Sequence, residues 1–245
     1  MVRVLIPSGA LGLNYDKAAL DRGLACKPDI IAIDGGSTDS GPAYLGRGVS
    51  KYSRASTKVE WRGLMEARAK AGVPLVIGTA GTCGTDSAVD WLLDITREIA
   101  TEIGQTVKIA VLRSSQSNAD IANAYSNNRL QPLPNAPEIS KLTLLDCTNI
   151  VALAGAEQIS AALETGADIV IAGRTTDTAI IAALPLMRGL NAGAAWHGAK
   201  IGECGALCAT NPQSGVVLIG FDDEGFTITP MAEDSCATPH TVSAH

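Results

Sequence analysis

The stretch "ADIVIAGRTTDTAIIAALPLMRG", residues 167–189, contains the fold's repeating unit in one line. The run Ile169–Ala172 is apolar at every position. It therefore reads as a strand covered on both faces, without the alternation of a half-wet one. It stops at Gly173 and enters a turn of small polar residues, Arg174 to Thr178, from which a strongly apolar helix departs.

The same unit recurs on either side. Upstream, "VRVLIP" and "DIIAI" read as strands, and the helical "WRGLMEARAKAG" leads to the strand "PLVIG". The long helix "SAVDWLLDITREIATEIG" follows, then "VKIAVL", the helical "NADIANAYSNN" and the proline-rich loop "LQPLPNAPEIS". "IVALAG" reads as a further strand before the helix "AEQISAALETG". Buried strands alternating with helices predict an α/β three-layer sandwich on a mostly parallel sheet. Downstream, "GVVLIGFDDEGFTITP" is two apolar runs around Asp222–Gly225, which predicts an antiparallel hairpin at the sheet's end. This divides the chain into a core of residues 1–214 and a hairpin extension, 215–245. The last residues, "CATPHTVSAH", read as though the chain stops inside an element.

With 245 residues the chain has enough length for one large core without disulfide or metal staples. A formal charge of −6 argues against nucleic acid or an anionic membrane as partner. No leader-like or membrane-spanning apolar run is evident, and six scattered cysteines without CxxC pairs read as reduced thiols, so a cytoplasmic location is expected.

Polar turns close three of the strands. "DIIAI" runs into "DGGSTDSG", "LVIG" into "TAGTCGTD", and "IVIAG" into "RTTDT". Helix capping explains a hydroxyl–Asp–hydroxyl triplet where a helix begins, as at Asp86 and Asp177. It does not explain Asp34 to Asp39, because "GPAYLGRG" reads as a loop. In open parallel sheets the crevice at the carboxyl ends of the strands takes ligands. Asp34 and Asp39 are therefore candidate proton carriers, Ser37, Thr38 and Thr82 candidate donors to substrate oxygens, and Asp177, where it is not spent on capping, a candidate substrate-binding group.

Two carboxylates about 4 Å apart repel by about 4 kcal/mol at an effective dielectric of about 20, so an anionic ligand there needs cations. Arg113 and Arg174 stand at strand ends and could fork onto a carboxylate. Magnesium would relieve the same repulsion through oxygen ligands, although no residue set spells out a metal site. No nucleotide fingerprint is present: "SGALG" is too short for GxGxxG, and no Walker sequence occurs.

In "AAWHGAKIGECGA", residues 194–206, a helical spacing puts His197 with Lys200, and Lys200 with Glu203 or Cys204, on shared faces. His197 and Glu203 are candidate acid–base groups and Lys200 a candidate binding group. Cys83, just before a helix, is a candidate nucleophile, with inert packing as the alternative. No GxSxG elbow supports a serine hydrolase.

The "GR-x-x-D" turn at Gly173, Arg174 and Asp177, followed by "ECGA" at Glu203–Ala206, resembles the acyclic terpene utilisation (AtuA-like) family, in its N-terminal domain. "DGGSTDSGPAYLGRG" and "GTAGTCGTD" are similar to the hydroxyl-rich strand-end loops of that family. The resemblance implies catabolism of branched acids, as such or as acyl thioesters, and members that continue beyond residue 245.

The expected function is thus acid–base chemistry of the lyase, hydratase or isomerase type on a small carboxylate or thioester. An amide or ester hydrolase using Cys83 or a metal-bound water is the second reading. A non-catalytic ligand-binding subunit is the third. A homo-oligomer, or a partner supplying a missing C-terminal region, is expected.

Overall fold

The computed structural model describes residues 1–36 and 42–245. Five parallel strands, β1 (Val2–Ile6), β2 (Ile30–Asp34), β3 (Leu75–Gly78), β4 (Ile109–Leu112) and β5 (Ile169–Ala172), form most of a seven-stranded sheet. β6 (Val217–Phe221) and β7 (Phe226–Pro230) complete it in the order β4-β5-β3-β2-β1-β6-β7. β6 runs antiparallel to β1, pairing Val2 with Phe221 and Ile6 with Val217, so the hairpin continues the same sheet.

Strand side chains alternate between two cores, as period-two geometry requires. Val4, Ile6, Ile30, Ala32, Val76 and Val170 face one side. There they meet α7 (Ala156–Glu164), α8 (Ala179–Met187) and α9 (Ala192–Gly202). Leu5, Ile31, Ile33, Leu75, Ile77 and Ile171 face the other, against α1 (Lys17–Ala25), α3 (Arg54–Ala71) and α4 (Asp86–Glu102). Each fully buried Ile or Leu contributes about 1.5–3 kcal/mol, which explains why the central strands are apolar along almost their whole length. The result is the three-layer α/β sandwich that the sequence pattern predicts.

Local signals account for the helix ends. Ser53 caps α3 by accepting from the Ser56 N–H, and Gly72 ends it in a left-handed conformation at φ 68°. Across the interface of α3 and α4, the Trp61 indole donates to Thr96 Oγ1 at 2.8 Å, inside the core.

Two local expectations are corrected. "PAYLGR" is a short helix, α2 (Pro42–Arg47), although Pro and Gly suggested a loop. It is held from outside, where Asn149 Nδ2 donates to the Leu45 carbonyl at 2.8 Å. "IVALAG" is not a strand. It makes only isolated bridges, Ser115 with Val151 and Ala154 with Thr175, to the loops that follow β4 and β5. Between β4 and this segment the chain makes an excursion through α5 (Asn118–Ser126) and α6 (Lys141–Leu145). α10 (Pro239–Ala244) follows the hairpin.

β5 lies between β3 and β4 in space although it follows both in sequence. From β3 the chain passes to α4 on one face, and from neighbouring β5 to α8 on the other. Loops leaving adjacent strands in opposite directions open a crevice at their carboxyl ends, the usual place for a ligand in such sheets.

Candidate active site

Asp34 is the last residue of β2, and its side chain is buried. The Gly36 N–H donates to its Oδ1 at 3.2 Å. Its own carbonyl accepts from the Leu11 N–H at 2.7 Å, which ties the loop after β1 to this strand end. The loop after β3 is tied in from the other side, since Thr82 N–H donates to the Gly35 carbonyl and Thr79 N–H to the Gly173 carbonyl. These bonds pull the ends of β1, β2, β3 and β5 into one compact rim.

The rim is strained. Thr79 has φ 57° and Thr82 φ 72°, both with fully buried side chains. A β-branched residue in the left-handed region costs on the order of 1–3 kcal/mol, and such outliers gather at functional sites. Gly84, at φ 65°, lies so close to the β5 loop that a Cβ there would sit 2.4 Å from the Arg174 nitrogen.

What the strain holds is Arg174. Its Nη1 donates to Thr79 Oγ1 at 2.9 Å, to the Thr175 carbonyl at 2.6 Å and to Asp177 Oδ1 at 3.2 Å. Among the described residues, its Nε and Nη2 make no hydrogen bond. One nitrogen is locked, and the opposite edge of the guanidinium, the edge that matches a carboxylate in a bidentate fork, is unengaged among the described residues. Burial pushes the Asp34 carboxyl well above the ordinary carboxylate range, and the neighbouring Asp177 charge pushes it further; the Gly36 N–H and Arg174 oppose this only in part.

The third wall is the C-terminal end of α9. Lys200 and Glu203 form an ion pair, with the carboxylate buried and the ammonium toward solvent. The Glu203 carboxylate raises Lys200. Beside them, burial and then the Glu203 charge push the Cys204 thiol up, with Asp177 and Asp34 adding to the effect, so it is a thiol and not a thiolate. Asp34, Arg174, Asp177, Lys200, Glu203 and Cys204 thus sit within one electrostatic neighbourhood.

Other residues singled out from the sequence lie elsewhere or are otherwise engaged. Arg113 reaches outward to Asp90, with Nη2 2.5 Å from Oδ1, and does not face Asp34. Asp86 accepts from the Ser114 and Ser115 N–H groups at 3.1 and 3.0 Å, while the capping of α4 falls to Thr85. Asp177 does not cap α8, whose N-cap Thr178 makes no side-chain capping bond.

Cys83 is buried with its sulfur 3.4 Å from Thr85 Oγ1, closed to a substrate. Thr82 Oγ1 accepts from the Lys51 N–H at 3.1 Å and is spent holding the segment after α2. His197 stacks edge-on against Phe226 with ring centroids 5.1 Å apart. Phe226 pairs with Phe221, and Phe221 with Val2, so His197 belongs to the opposite edge of the sheet. Ser37, Thr38 and Asp39 lie outside the described residues.

Thr79 is the participant that sequence reasoning passed over. Its hydroxyl grips Arg174, and nothing in "TAGTCGTD" distinguishes it from Thr82. Tyr52 is a second, packed on Gly12 and raised by burial and by the charges of Glu60 and Asp34.

Among the described residues no group of three or more His, Cys, Asp or Glu side chains is arranged to hold a metal ion. No helix there is long and apolar enough to cross a membrane. No curated protein and no solved structure matches the chain significantly. A family model described as acyclic terpene utilisation family protein AtuA matches residues 50–211, which include the loops after β3 and β5 and the Lys200–Cys204 wall. As that match spans well over half of the 245 residues, the chain belongs to the AtuA family of acyclic terpene utilisation proteins.

Proposed function

We propose that the chain is a cytoplasmic enzyme of acyclic terpene utilisation that moves protons on a small branched carboxylic acid or its thioester, as a lyase, hydratase or isomerase. One observation carries the reading: a buried carboxyl, its pKa raised by burial, lies within electrostatic reach of an arginine whose Nη1 is immobilised and whose Nε and Nη2 make no hydrogen bond among the described residues.

Arg174 takes the substrate carboxylate on its open edge, and Asp177 and Thr79 hold the guanidinium in plane. The fixed geometry matters because a preorganised fork loses little entropy on binding. Asp34, whose protonated form is favoured by burial, is the acid that gives a proton to a departing hydroxyl or to carbon. Glu203, buried and ion-paired with Lys200, is the complementary base. A buried carboxyl and an ion-paired one at the same site have the different surroundings that an acid–base pairing requires.

The test needs no knowledge of the natural substrate. With 3-methylbut-2-enoate, 3-methylbutanoate and their coenzyme A thioesters as probes, with and without magnesium, ligand is expected to raise the melting temperature of the wild type and of Asp34→Asn, but not of Arg174→Lys. In deuterium oxide the wild type is expected to exchange the proton next to the bound carboxylate, read by proton NMR, and Asp34→Asn is not. Equal stabilisation of Arg174→Lys, or exchange that survives in Asp34→Asn, overturns the assignment.

A further inference from the structure

The excursion through α5 and α6, residues 118–147, folds on itself. Tyr125 OH donates to the Ile139 carbonyl at 2.8 Å, Asn118 Nδ2 donates to the Leu145 carbonyl at 3.1 Å, and Ala122 and Leu144 are buried. Its tip, however, is apolar and open. Leu133 is 80% exposed, and Leu130, Ile139 and Leu142 also face solvent. Monomeric proteins rarely display apolar residues in such concentration without a partner for them.

Two features of the tip are complementary to each other. Next to Leu133 lies a concavity of about 580 Å³ lined mainly by Tyr125, Leu130, Pro132, Pro137 and Ile139, with Gln131 and Glu138 also in its wall. Leu133 does not fill it. Arg129 and Glu138 flank Leu133 on either side in sequence, both exposed, and among the described residues neither has an ion-pair partner. A knob, a hole, a cation and an anion on one patch are the requirements of an isologous contact: a two-fold axis brings each feature onto its counterpart, and the contact closes at two subunits.

We propose that this tip is the self-association surface of the protein, on which a second copy of the chain docks two-fold. Leu133 of each copy enters the other's concavity, and Arg129 of each meets Glu138 of the other. The proposal is independent of the chemistry assigned to the strand-end site.

The experiment is light scattering coupled to gel filtration on the full chain over a wide range of protein concentration. The wild type is expected to show the mass of two chains. Leu133→Asp is expected to show the mass of one, with an unchanged circular dichroism spectrum and melting curve at matched dilution, because the side chain lies outside the core. Arg129→Glu alone is expected to break the dimer, and Arg129→Glu with Glu138→Arg to restore it, a rescue that a merely structural role would not produce. A wild type monomeric throughout, a dimer that persists in Leu133→Asp, or a failure of the double exchange to restore it overturns the proposal.

Discussion

Arg113 and Arg174 leave adjacent strands at nearly the same height, since Leu112 pairs with Ala172, and each stands within reach of aspartates. Yet the Arg174–Asp177 side chains are 17% and 24% exposed, whereas those of Arg113 and Asp90 are 48% and 52% exposed. β4 is the edge of the sheet, and β5 is enclosed between β4 and β3. The same chemistry at a strand end is a solvated surface pair in one case and a preorganised binding group in the other. Depth in the sheet makes the difference, since burial removes the water that would otherwise screen the charge.

The comparison can be broken most severely through Gly84. An alanine there must adopt φ 65° and place its Cβ 2.4 Å from the Arg174 nitrogen. The left-handed conformation costs about 1–2 kcal/mol, and the overlap about 1–3 kcal/mol more. Gly104 also has φ 65° but has open space around it, so Gly104→Ala is expected to cost only the conformational part, about 1 kcal/mol. Urea denaturation of both variants measures the difference. Equal losses would mean that the β3 and β5 loops are not in the close contact that fixes Arg174.

Removing the Arg174 side chain comes next. Arg174→Ala strips Asp177 of its partner and leaves Thr79 Oγ1 without its strongest donor. Loss of one member of a buried pair costs about 3–5 kcal/mol, and the remaining solvent contact reduces this to about 2–3 kcal/mol. The denaturation midpoint should fall accordingly, and a shift near zero would mean that the pair is as solvated as the one at Arg113.

Asp34 gives an effect of opposite sign. Its folded-state pKa is raised, so the native chain binds this proton more tightly than the unfolded one. Its favourable contribution is complete below the ordinary carboxylate range and is lost as pH rises through the elevated folded value. Asp34→Asn is therefore expected to raise the melting temperature at neutral and higher pH and to flatten the decline of stability with pH, while abolishing proton exchange. A residual slope should persist from Glu60, which burial also raises. Gain of stability with loss of activity is the signature of a residue kept for function at the expense of the fold. A loss of stability at pH 8 would show that the carboxylate is satisfied where it lies.

Much of this architecture was legible in the residues themselves. Strands apolar at every position implied cover on both faces, the "DDEG" hairpin was evident, and the turn from Gly173 to Asp177 stood out by its composition. Strand order was not legible, because nothing local to "IVIAG" says that it inserts between two earlier strands. Without that insertion Arg113 and Arg174 are equivalent, and they were read so. Thr79 and Thr82 were opaque for a different reason. β-branched residues are the ones local rules exclude from positive φ, so only the surrounding bonds hold them there. "PAYLGR" misled in the same way, its helix being fixed by Asn149 from a distant part of the chain.

The smallest expected effect is at Arg113 itself, and it sharpens the comparison most cleanly. Its hydrogen bond holds the Asp90 carboxylate below its usual range, so any contribution is present above that range and disappears on acidification through the depressed value. Because both partners lie in water, Arg113→Ala is expected to cost no more than about 0.5 kcal/mol. Even that should fade at about 1 M salt, where the screening length shrinks to about 3 Å. Arg174→Ala should keep most of its cost in the same salt series, since a partly buried pair is screened less than an exposed one. Measuring both variants in urea at low and high salt separates depth from pairing. Should the two losses be equal and equally salt-sensitive, the enclosed position of β5 confers nothing on Arg174, and the choice between the two arginines returns to the sequence, which cannot make it.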